Sequence, residues 1–134
     1  MKTLIVTAAL IRGREGILLA QRAKGPWEDH WEFPGGKMEE DEAPEDCLRR
    51  ELKEELGVEA EVEGIREVIY MPYDGFNLLL LLYECRLKRG EPLPLGCKGV
   101  RWVKEEELPH LLMPPADREL VRRIFKGGWD SAVG

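Results

Sequence analysis

The chain begins with apolar residues and continues as a series of short apolar segments separated by polar turns. Residues 3–11, TLIVTAALI, form a near-continuous apolar run, which predicts a strand covered on both faces. The sequence RGREG then predicts a hairpin turn into a second strand, ILLAQR. Further strands are predicted at WEF (31–33), EAEVEGIREVIY (59–70), FNLLLLLYECRL (76–87) and GVRWV (99–103).

Glycine and proline mark the connections between these predicted strands. AKGPWEDH (23–30) predicts a loop, because it contains a Gly-Pro pair. PGG (34–36) predicts a tight turn, and MPYDG (71–75) predicts the turn between the two longest later strands.

Two segments have the features of helices. The segment 44–57 begins with Pro44 at its first position and ends at Gly57, which is a usual helix terminator. The segment 115–125 places its apolar residues on one stripe. Strands in the majority, with two helices at separate places, predict the α/β class, with a mixed sheet covered by helices. We expect one domain over residues 1–126 and a flexible tail over 127–134.

Composition restricts the partners. The chain has 134 residues, of which 43% are apolar, so it can bury one core. Its formal charge of −6 argues against nucleic acid as a partner, and MKTLIVTAALI is too short to span a membrane. Small anionic substrates stay open, because a bound cation can reverse the local charge. The odd set of cysteines is typical of reduced, buried thiols in the cytoplasm: Cys47, Cys85 and Cys97.

The helix 44–57 carries an acidic patch beside its apolar stripe. At about 100° per residue, the apolar stripe consists of Leu48, Leu52 and Leu56. Three carboxylates at positions i, i+3 and i+4 converge next to it: Glu51, Glu54 and Glu55. Arg50 can pair with Glu54, but one guanidinium does not neutralise three carboxylates. Either this is a charge-rich solvated helix, or a hard divalent cation such as Mg²⁺ or Mn²⁺ binds the oxygens.

The surrounding spacing favours the metal site. Gly36, Glu42 and the sequence RELKEELGV fit the pattern G-x5-E-x7-R-E-U-x-E-E-x-G-U, where U is a bulky aliphatic residue. Every defined position is present over 23 residues, Gly36 to Val58. This stretch resembles the signature box of the Nudix hydrolase family. LLAQR, WEFPGGK and MPPADRELV also resemble the MutT-type members, so the resemblance covers most of the chain.

The resemblance implies a Nudix fold, an α/β/α sandwich with a central mixed sheet, and a set of metal ligands. The ligands would be the main-chain carbonyl of Gly35 and the side chains of Glu51, Glu54 and Glu55. Arg50 would orient the acids, and Glu42 would support the loop before the helix. Glu51 or Glu54 would help to activate the attacking water.

One segment departs from the family pattern. MutT-like members often carry a further acid just before the last strand of the sheet, but PLGCKGVRW has Lys98 and Arg101 there instead. Either the box supplies all the acids, which we favour, or Glu91 or a glutamate of KEEEL contributes. Lys98 and Arg101 are either solvated cations or contacts to phosphate.

The residues that would bind substrate are less sharply defined. Arg22 resembles a nucleotide contact of MutT-like enzymes, or it forms a surface ion pair. Trp31 and Phe33 fall on one face, where either would stack on a base or pack in the core. Trp27 is either a lid or a simple cover. From the WEFPGGK segment we also predict the substrate-binding residues Glu32, Gly36 and Lys37.

Asp117 follows two prolines at the start of the final helix. It is either a helix-start acid that satisfies backbone N–H groups or, as the resemblance implies, a residue that contacts the base. An ionised carboxylate only accepts hydrogen bonds. It would therefore favour base edges with N–H donors, such as the amine of cytosine or N1–H of guanine.

The sequence therefore predicts a Mg²⁺-dependent hydrolase that cleaves nucleoside triphosphates to a monophosphate and pyrophosphate. Oxidised or otherwise modified nucleotides, such as 8-oxo-dGTP, and cytidine triphosphate are the candidate substrates. The alternatives are a pyrophosphatase for ADP-ribose or another nucleoside diphosphate derivative, and a non-catalytic nucleotide-binding module. The complete box disfavours the last. We expect a monomer or a homodimer.

Overall fold

The structure is a computed structural model, and it describes residues 1–125. The strands are β1 (Thr3–Gly13), β2 (Gly16–Gln21), β3 (Trp31–Glu32), β4 (Gly35–Lys37), β5 (Glu59–Tyr73), β6 (Phe76–Arg89) and β7 (Gly99–Val103). The helices are α1 (Pro44–Leu56), a 3-10 helix (Glu105–His110) and α2 (Pro115–Ile124). The predicted tail, 127–134, lies outside the described residues.

Strand β1 organises a mixed sheet. It pairs in parallel with β6 along most of its length and antiparallel with β4 and with the start of β2. The main path of the sheet is β3-β2-β1-β6-β5, with β4 paired to β1 and β7 paired to β2. The predicted mixed sheet is confirmed, and so is the hairpin turn between β1 and β2.

The two faces of β1 pack into two different cores, as its continuous apolar run predicts. Ala8 and Leu10 belong to the core that contains residues of α2. Ala9 and Ile11, which alternate with them, belong to the core under α1. A strand buried on both faces has no polar face to present to water, which explains the absence of alternation in its sequence.

Helix α1 follows its local signals closely. Pro44 stands in its first turn, and Gly57 ends it in the left-handed conformation with φ 70°. The N–H of Gly57 donates to the carbonyl of Lys53. The predicted apolar stripe is fully buried against the sheet: Leu48, Leu52 and Leu56.

Two local predictions were wrong, and one element was missed. Gly35 and Gly36 lie in strand β4 and not in a tight turn, because they pair with β1 so closely that a Cβ on Gly35 would lie 2.0 Å from the carbonyl oxygen of Thr7. Pro72 lies in β5, whose edge position tolerates a residue without N–H, and only Asp74 and Gly75 form the turn. The 3-10 helix was not predicted.

No helix that the structure describes is long and apolar enough to cross a membrane. The three cysteines are free; Cys47 and Cys85 are buried and Cys97 is partly buried.

Candidate active site

Strand β4 and helix α1 are joined by a small buried contact. The hydroxyl of Thr7 on β1 donates to the carbonyl oxygen of Gly36 over 3.3 Å. The thiol of Cys47 on α1 lies 3.4 Å from the same hydroxyl and 3.6 Å from the same carbonyl. Thr7 is fully buried, so these contacts fix the start of α1 against the glycines of β4.

Arg50 holds the loop before α1 to the acids of the helix. Its guanidinium donates to both oxygens of Glu42, over 2.6 and 3.0 Å, and to Glu51 and Glu54, over 3.2 Å each. The hydrogen bond from Arg50 lowers the pKa of Glu42 to about 2, with help from the N–H of Glu39. Arg50 therefore orients Glu51 and Glu54 while Glu42 stays ionised.

The three acids of the patch differ in their surroundings. The side chain of Glu54 is 61% exposed, whereas that of Glu51 is 20% exposed. Burial raises the pKa of Glu51. Burial, with the charges of Glu32 and Glu51, raises the pKa of Glu55 to about 8. Among the described residues, oxygen Oε1 of Glu55 is buried and has no hydrogen-bond partner.

Gly36 gives the carboxylate of Glu51 its space. A Cβ at position 36 would lie 2.2 Å from Cδ of Glu51 and 2.5 Å from each of its oxygens. Only a glycine allows the backbone of β4 and this carboxylate to approach so closely.

The acidic patch fits a divalent cation in its chemistry. The donors are carboxylate oxygens, one of them is buried and unpaired, and a glycine leaves room beside another. Within residues 1–125, however, no group of three acid, His or Cys side chains stands ready to hold a metal ion. Arg50 holds Glu51 and Glu54, and Glu55 lies near Glu32, so the side chains would have to move to share a cation.

A cavity of about 470 Å³ opens next to this patch. The glycines of β4 form part of its wall, and the core face of β1 and β6 forms its floor. Its polar lining includes the side chains of Arg22, Glu32 and Asp117.

Two of these polar side chains are hydrogen-bonded to each other, and the third accepts a hydrogen bond from the neighbouring backbone. The guanidinium of Arg22 donates to Glu32 over 2.8 Å, and the main-chain N–H of Phe33 donates to Asp117 over 3.0 Å. Asp117 is 7% exposed. Burial, followed by the charge of Glu32, raises its pKa to about 8. Burial therefore favours the neutral form of Asp117, in which the carboxyl can donate a hydrogen bond as well as accept one, whereas the prediction from the sequence considered only the ionised form.

The structure brings most predicted substrate residues to this cavity. Arg22, Glu32, Phe33, Gly36 and Asp117 line it, as does the predicted ligand Gly35. Trp31 and Lys37 are not part of its lining. Trp31 packs against the core. The guanidinium carbon of Arg101 lies over the Trp31 ring, 5.4 Å from the ring centre. Lys37 is exposed on β4.

Three aromatic residues also line the cavity, and only the first of them, Trp27, was considered from the sequence, as a lid or a cover. Trp27 comes from the loop before β3, and Tyr73 and Phe76 flank the turn between β5 and β6. The 22–30 loop and the β5–β6 hairpin turn come together at this cavity only in the complete fold. The one signal in the sequence was a tryptophan in a Gly-Pro loop, where burial in the core is not expected.

The two cations in place of the expected acid both have partners. Lys98 pairs with Asp29 over 2.5 Å, and Arg101 pairs with Glu107 over 3.3 Å. Both side chains are also about half exposed, which favours the alternative of solvated cations over contacts to phosphate.

A cavity lined by an arginine, beside a helix with a cluster of carboxylates, fits a hydrolase acting on phosphoric anhydride bonds. The chain belongs to the Nudix family: the sequence profile of the NUDIX domain matches residues 1–124. Nudix hydrolases generally use divalent metal ions.

The names of similar proteins are consistent with this family. A protein of Escherichia coli (strain K12) named CTP pyrophosphohydrolase is 52% identical over 126 residues, 93% of each chain. A Haemophilus influenzae protein named 8-oxo-dGTP diphosphatase is 34% identical over 126 residues, 92% of this chain and 93% of that one. The crystal structure of a MutT NUDIX hydrolase from Burkholderia pseudomallei is 25% identical, with a TM-score of 0.84 over 92% of this chain and 99% of that one.

Proposed function

We propose that this protein is a Mg²⁺- or Mn²⁺-dependent nucleoside triphosphate pyrophosphohydrolase. The observation that carries the proposal is the buried, unpaired oxygen of Glu55 in an acidic patch that meets, at Gly36, a cavity lined by Arg22 and Asp117. The names of the two relatives, one for CTP and one for 8-oxo-dGTP, support a nucleoside triphosphate as the substrate class.

Glu51, Glu54, Glu55 and the carbonyl oxygen of Gly35 would hold the cation. When bound, a divalent cation lowers the pKa of water and stabilises negative charge on phosphoryl oxygens. Arg50 orients Glu51 and Glu54 through its hydrogen bonds.

Glu51 or Glu54 would accept the proton of the attacking water. Glu54 is exposed enough to reach solvent, whereas Glu51 sits closer to the cavity wall at Gly36. Because this step needs an ionised carboxylate, we expect the rate to rise toward alkaline pH. The products would be the nucleoside monophosphate and pyrophosphate.

Within the cavity, Arg22 and Asp117 would bind the nucleotide. The free thiols support the cytoplasm as the place of action. Candidate physiological substrates are cytidine triphosphates and oxidised or otherwise modified nucleotides such as 8-oxo-dGTP.

The proposal is tested with Glu54→Gln and its matched control Glu45→Gln, an exposed glutamate of the same helix that pairs with Arg49. We expect Glu54→Gln to lower kcat by about 100-fold or more, in keeping with a metal ligand, and to weaken Mg²⁺ binding in calorimetry. Glu45→Gln should change neither. Full turnover after removal of divalent metal with EDTA would refute the proposal.

A turnover panel tests the substrate class. CTP, dGTP, 8-oxo-dGTP and UTP are compared with ADP-ribose at equal concentration. Should ADP-ribose exceed every triphosphate in kcat/KM, the alternative pyrophosphatase function would replace the proposed one. Nucleotide binding without any turnover would instead indicate the non-catalytic module.

A further inference from the structure

The loop from Arg22 to His30, which we call the rim loop, holds Trp27 at the edge of the cavity. Trp27 lines the cavity and is 41% exposed. Its backbone is left-handed, with φ 66°, a region that bulky residues rarely adopt. Its ring makes an edge contact with the ring of His30, with centres 5.6 Å apart. The loop, and not burial in the core, therefore holds this large apolar ring at the rim.

A second aromatic surface lines the same cavity. The rings of Tyr73 and Phe76 stack with centres 5.1 Å apart and an angle of 13° between their planes. Both residues line the cavity from the β5–β6 hairpin, a different element from the rim loop. Aromatic rings bind nucleobases by stacking, largely without regard to base identity.

Asp29 ties the rim loop to the rest of the molecule. Its main-chain N–H donates to the carbonyl oxygen of Arg22 over 2.9 Å. Its own carbonyl oxygen accepts from the side-chain amide of Gln21 over 3.0 Å. Its carboxylate accepts from the ammonium of Lys98 over 2.5 Å. The main-chain N–H of Lys98 in turn donates to the carbonyl oxygen of Gln21 over 2.8 Å.

Lys98 belongs to a segment anchored on the acidic helix. The N–H groups of Leu95 and Gly96 both donate to the carbonyl oxygen of Glu55, each over 3.0 Å. The ion pair between Lys98 and Asp29 therefore connects the loop that carries Trp27 with the end of the helix that carries the acidic patch.

We propose that Trp27 is a lid that stacks on the nucleobase and that the Lys98–Asp29 ion pair is the latch that positions this lid. The inference rests on the proposed function, since it assumes a nucleotide in the cavity. It also explains the cation at position 98: Lys98 acts as a positioning residue for the rim loop. Both side chains of the pair are about half exposed, 51% and 53%, so the latch is weak enough to open for substrate exchange.

The lid is tested by comparing Trp27→Ala with Trp27→Phe. Trp27→Ala should raise KM for CTP and for 8-oxo-dGTP by about tenfold, the order expected for one stacked base. Trp27→Phe should keep most of the wild-type affinity, and kcat should change by less than about twofold in both. Inorganic tripolyphosphate, which has no base, should inhibit all three proteins equally. The lid would be overturned if Trp27→Ala weakened inhibition by tripolyphosphate as much as it raised KM for the nucleotides. An unchanged KM in Trp27→Ala would also overturn it.

The latch is tested with a double-mutant cycle of Lys98→Gln and Asp29→Asn. Asparagine keeps the shape of Asp29 and tolerates its left-handed backbone, φ 70°. Each single change should raise KM by about two- to fivefold, the range for an exposed ion pair. The double variant should raise KM no more than either single change. The matched control is the exposed pair Arg86–Glu61, 2.9 Å apart, at the end of the β5–β6 hairpin away from the cavity. Arg86→Gln should leave KM unchanged. Additive losses, or none, would contradict the latch.

A binding measurement separates the lid from the proposed function. Calorimetry with an α,β-methylene analogue of CTP reports binding without turnover. If the wild type binds the analogue but does not hydrolyse CTP, the proposed function fails while the lid is still tested by the affinity of Trp27→Ala. If the wild type hydrolyses CTP and Trp27→Ala binds the analogue as tightly, the lid alone fails. No binding by the wild type would overturn both.

Discussion

Gly36 and Glu51 lie closer to each other than any side chain at position 36 would allow. A Cβ there would lie 2.2 Å from the carboxyl carbon of Glu51, and the backbone of Gly36 is not in the left-handed region. Gly36→Ala should therefore act by displacing the carboxylate and not by straining the backbone. We expect Mg²⁺ affinity and kcat to fall by about 10–100-fold, as for changes that misplace a metal ligand.

Gly64→Ala is the matched control for this change. Gly64 also lacks a left-handed backbone, and a Cβ on it would meet no atom within 4 Å. Gly64→Ala should have nearly the Mg²⁺ affinity and the single-turnover rate of the wild type. Calorimetric metal titrations and single-turnover kinetics measure the two quantities. Equal Mg²⁺ affinities in Gly36→Ala and the wild type would show that the contact with Glu51 has no role in metal binding.

The protonation of Asp117 determines which base edge it can match. Below its pKa of about 8 the carboxyl can donate as well as accept, so it can match either the carbonyl of uracil or the amine of cytosine. Above that pH it only accepts, which favours cytosine. The ratio of kcat/KM for CTP to that for UTP should therefore rise between pH 7 and pH 9. Asp117→Asn should remove this rise, and a constant ratio in the wild type would mean that Asp117 does not contact the base.

Single residues of the site were predictable to different degrees. The convergence of Glu51, Glu54 and Glu55 follows from helical spacing alone, because all three lie within two turns of one helix. The burial of Asp117, which raises its pKa, depends on the strands packed around it and has no local signal. For Trp27 the sequence does not decide between lid and cover, since a loop sequence does not specify which cavity the loop borders.

At the scale of elements, Arg50 joins the loop before α1 to α1 itself. Its two hydrogen bonds to Glu42 use the fork of the guanidinium, which a lysine cannot reproduce. Arg50→Lys keeps the charge but loses one of the two parallel hydrogen bonds to Glu42. Glu51 and Glu54 should therefore be held less firmly in their orientation. We expect kcat to fall by about tenfold, the lower end for partners of metal ligands.

The neighbouring arginine supplies the control for this prediction. Arg49 pairs with Glu45 and Asp46 on the solvent side of the same helix. Arg49→Lys should leave kcat within about twofold of the wild type, in keeping with the small effects of exposed ion pairs. Similar kcat values for the two variants would mean that Arg50 contributes only charge.

Elements with local signals were predicted, and elements that depend on distant partners were not. Helix α1 has a proline at its start, a left-handed glycine at its end and a leucine stripe between them, and its predicted bounds agree with the structure. Strand β4 is formed by two glycines and a lysine that become a strand only because Thr7 and its neighbours on β1 lie beside them. A sequence window that includes PGG but not β1 can only indicate a turn.

In the molecule as a whole, the cavity and the acidic helix lie on different faces of the sheet. Helix α1 packs on the core that contains Ala9 and Ile11, whereas the cavity is lined by Ala8 and Asp117 from the other face. The glycines of β4 border both: they line the cavity and contact Glu51. A nucleotide in the cavity would therefore approach Glu51 at Gly35 and Gly36, where β4 has no side chains.

Burial of Asp117 should also change the pH dependence of global stability. In the unfolded chain this carboxyl has the ordinary pKa of an aspartate, 3.8, and in the folded protein its pKa is about 8. Between these values the folded state keeps a proton that the unfolded state has released, so its stabilising effect is complete below about pH 4 and is lost as pH rises to 8. In that window Asp117 should lower the unfolding free energy by up to about 1.4 kcal/mol per pH unit.

Asp117→Asn isolates this effect, because asparagine has a similar shape and does not titrate. Urea unfolding of both proteins with EDTA present, from pH 5 to pH 9, gives the difference in unfolding free energy at each pH. The variant should gain stability relative to the wild type as pH rises to about 8, and the difference should then level off. A difference that is independent of pH would mean that Asp117 is ionised in the folded protein, and the pH-dependent preference for CTP over UTP would be lost with it.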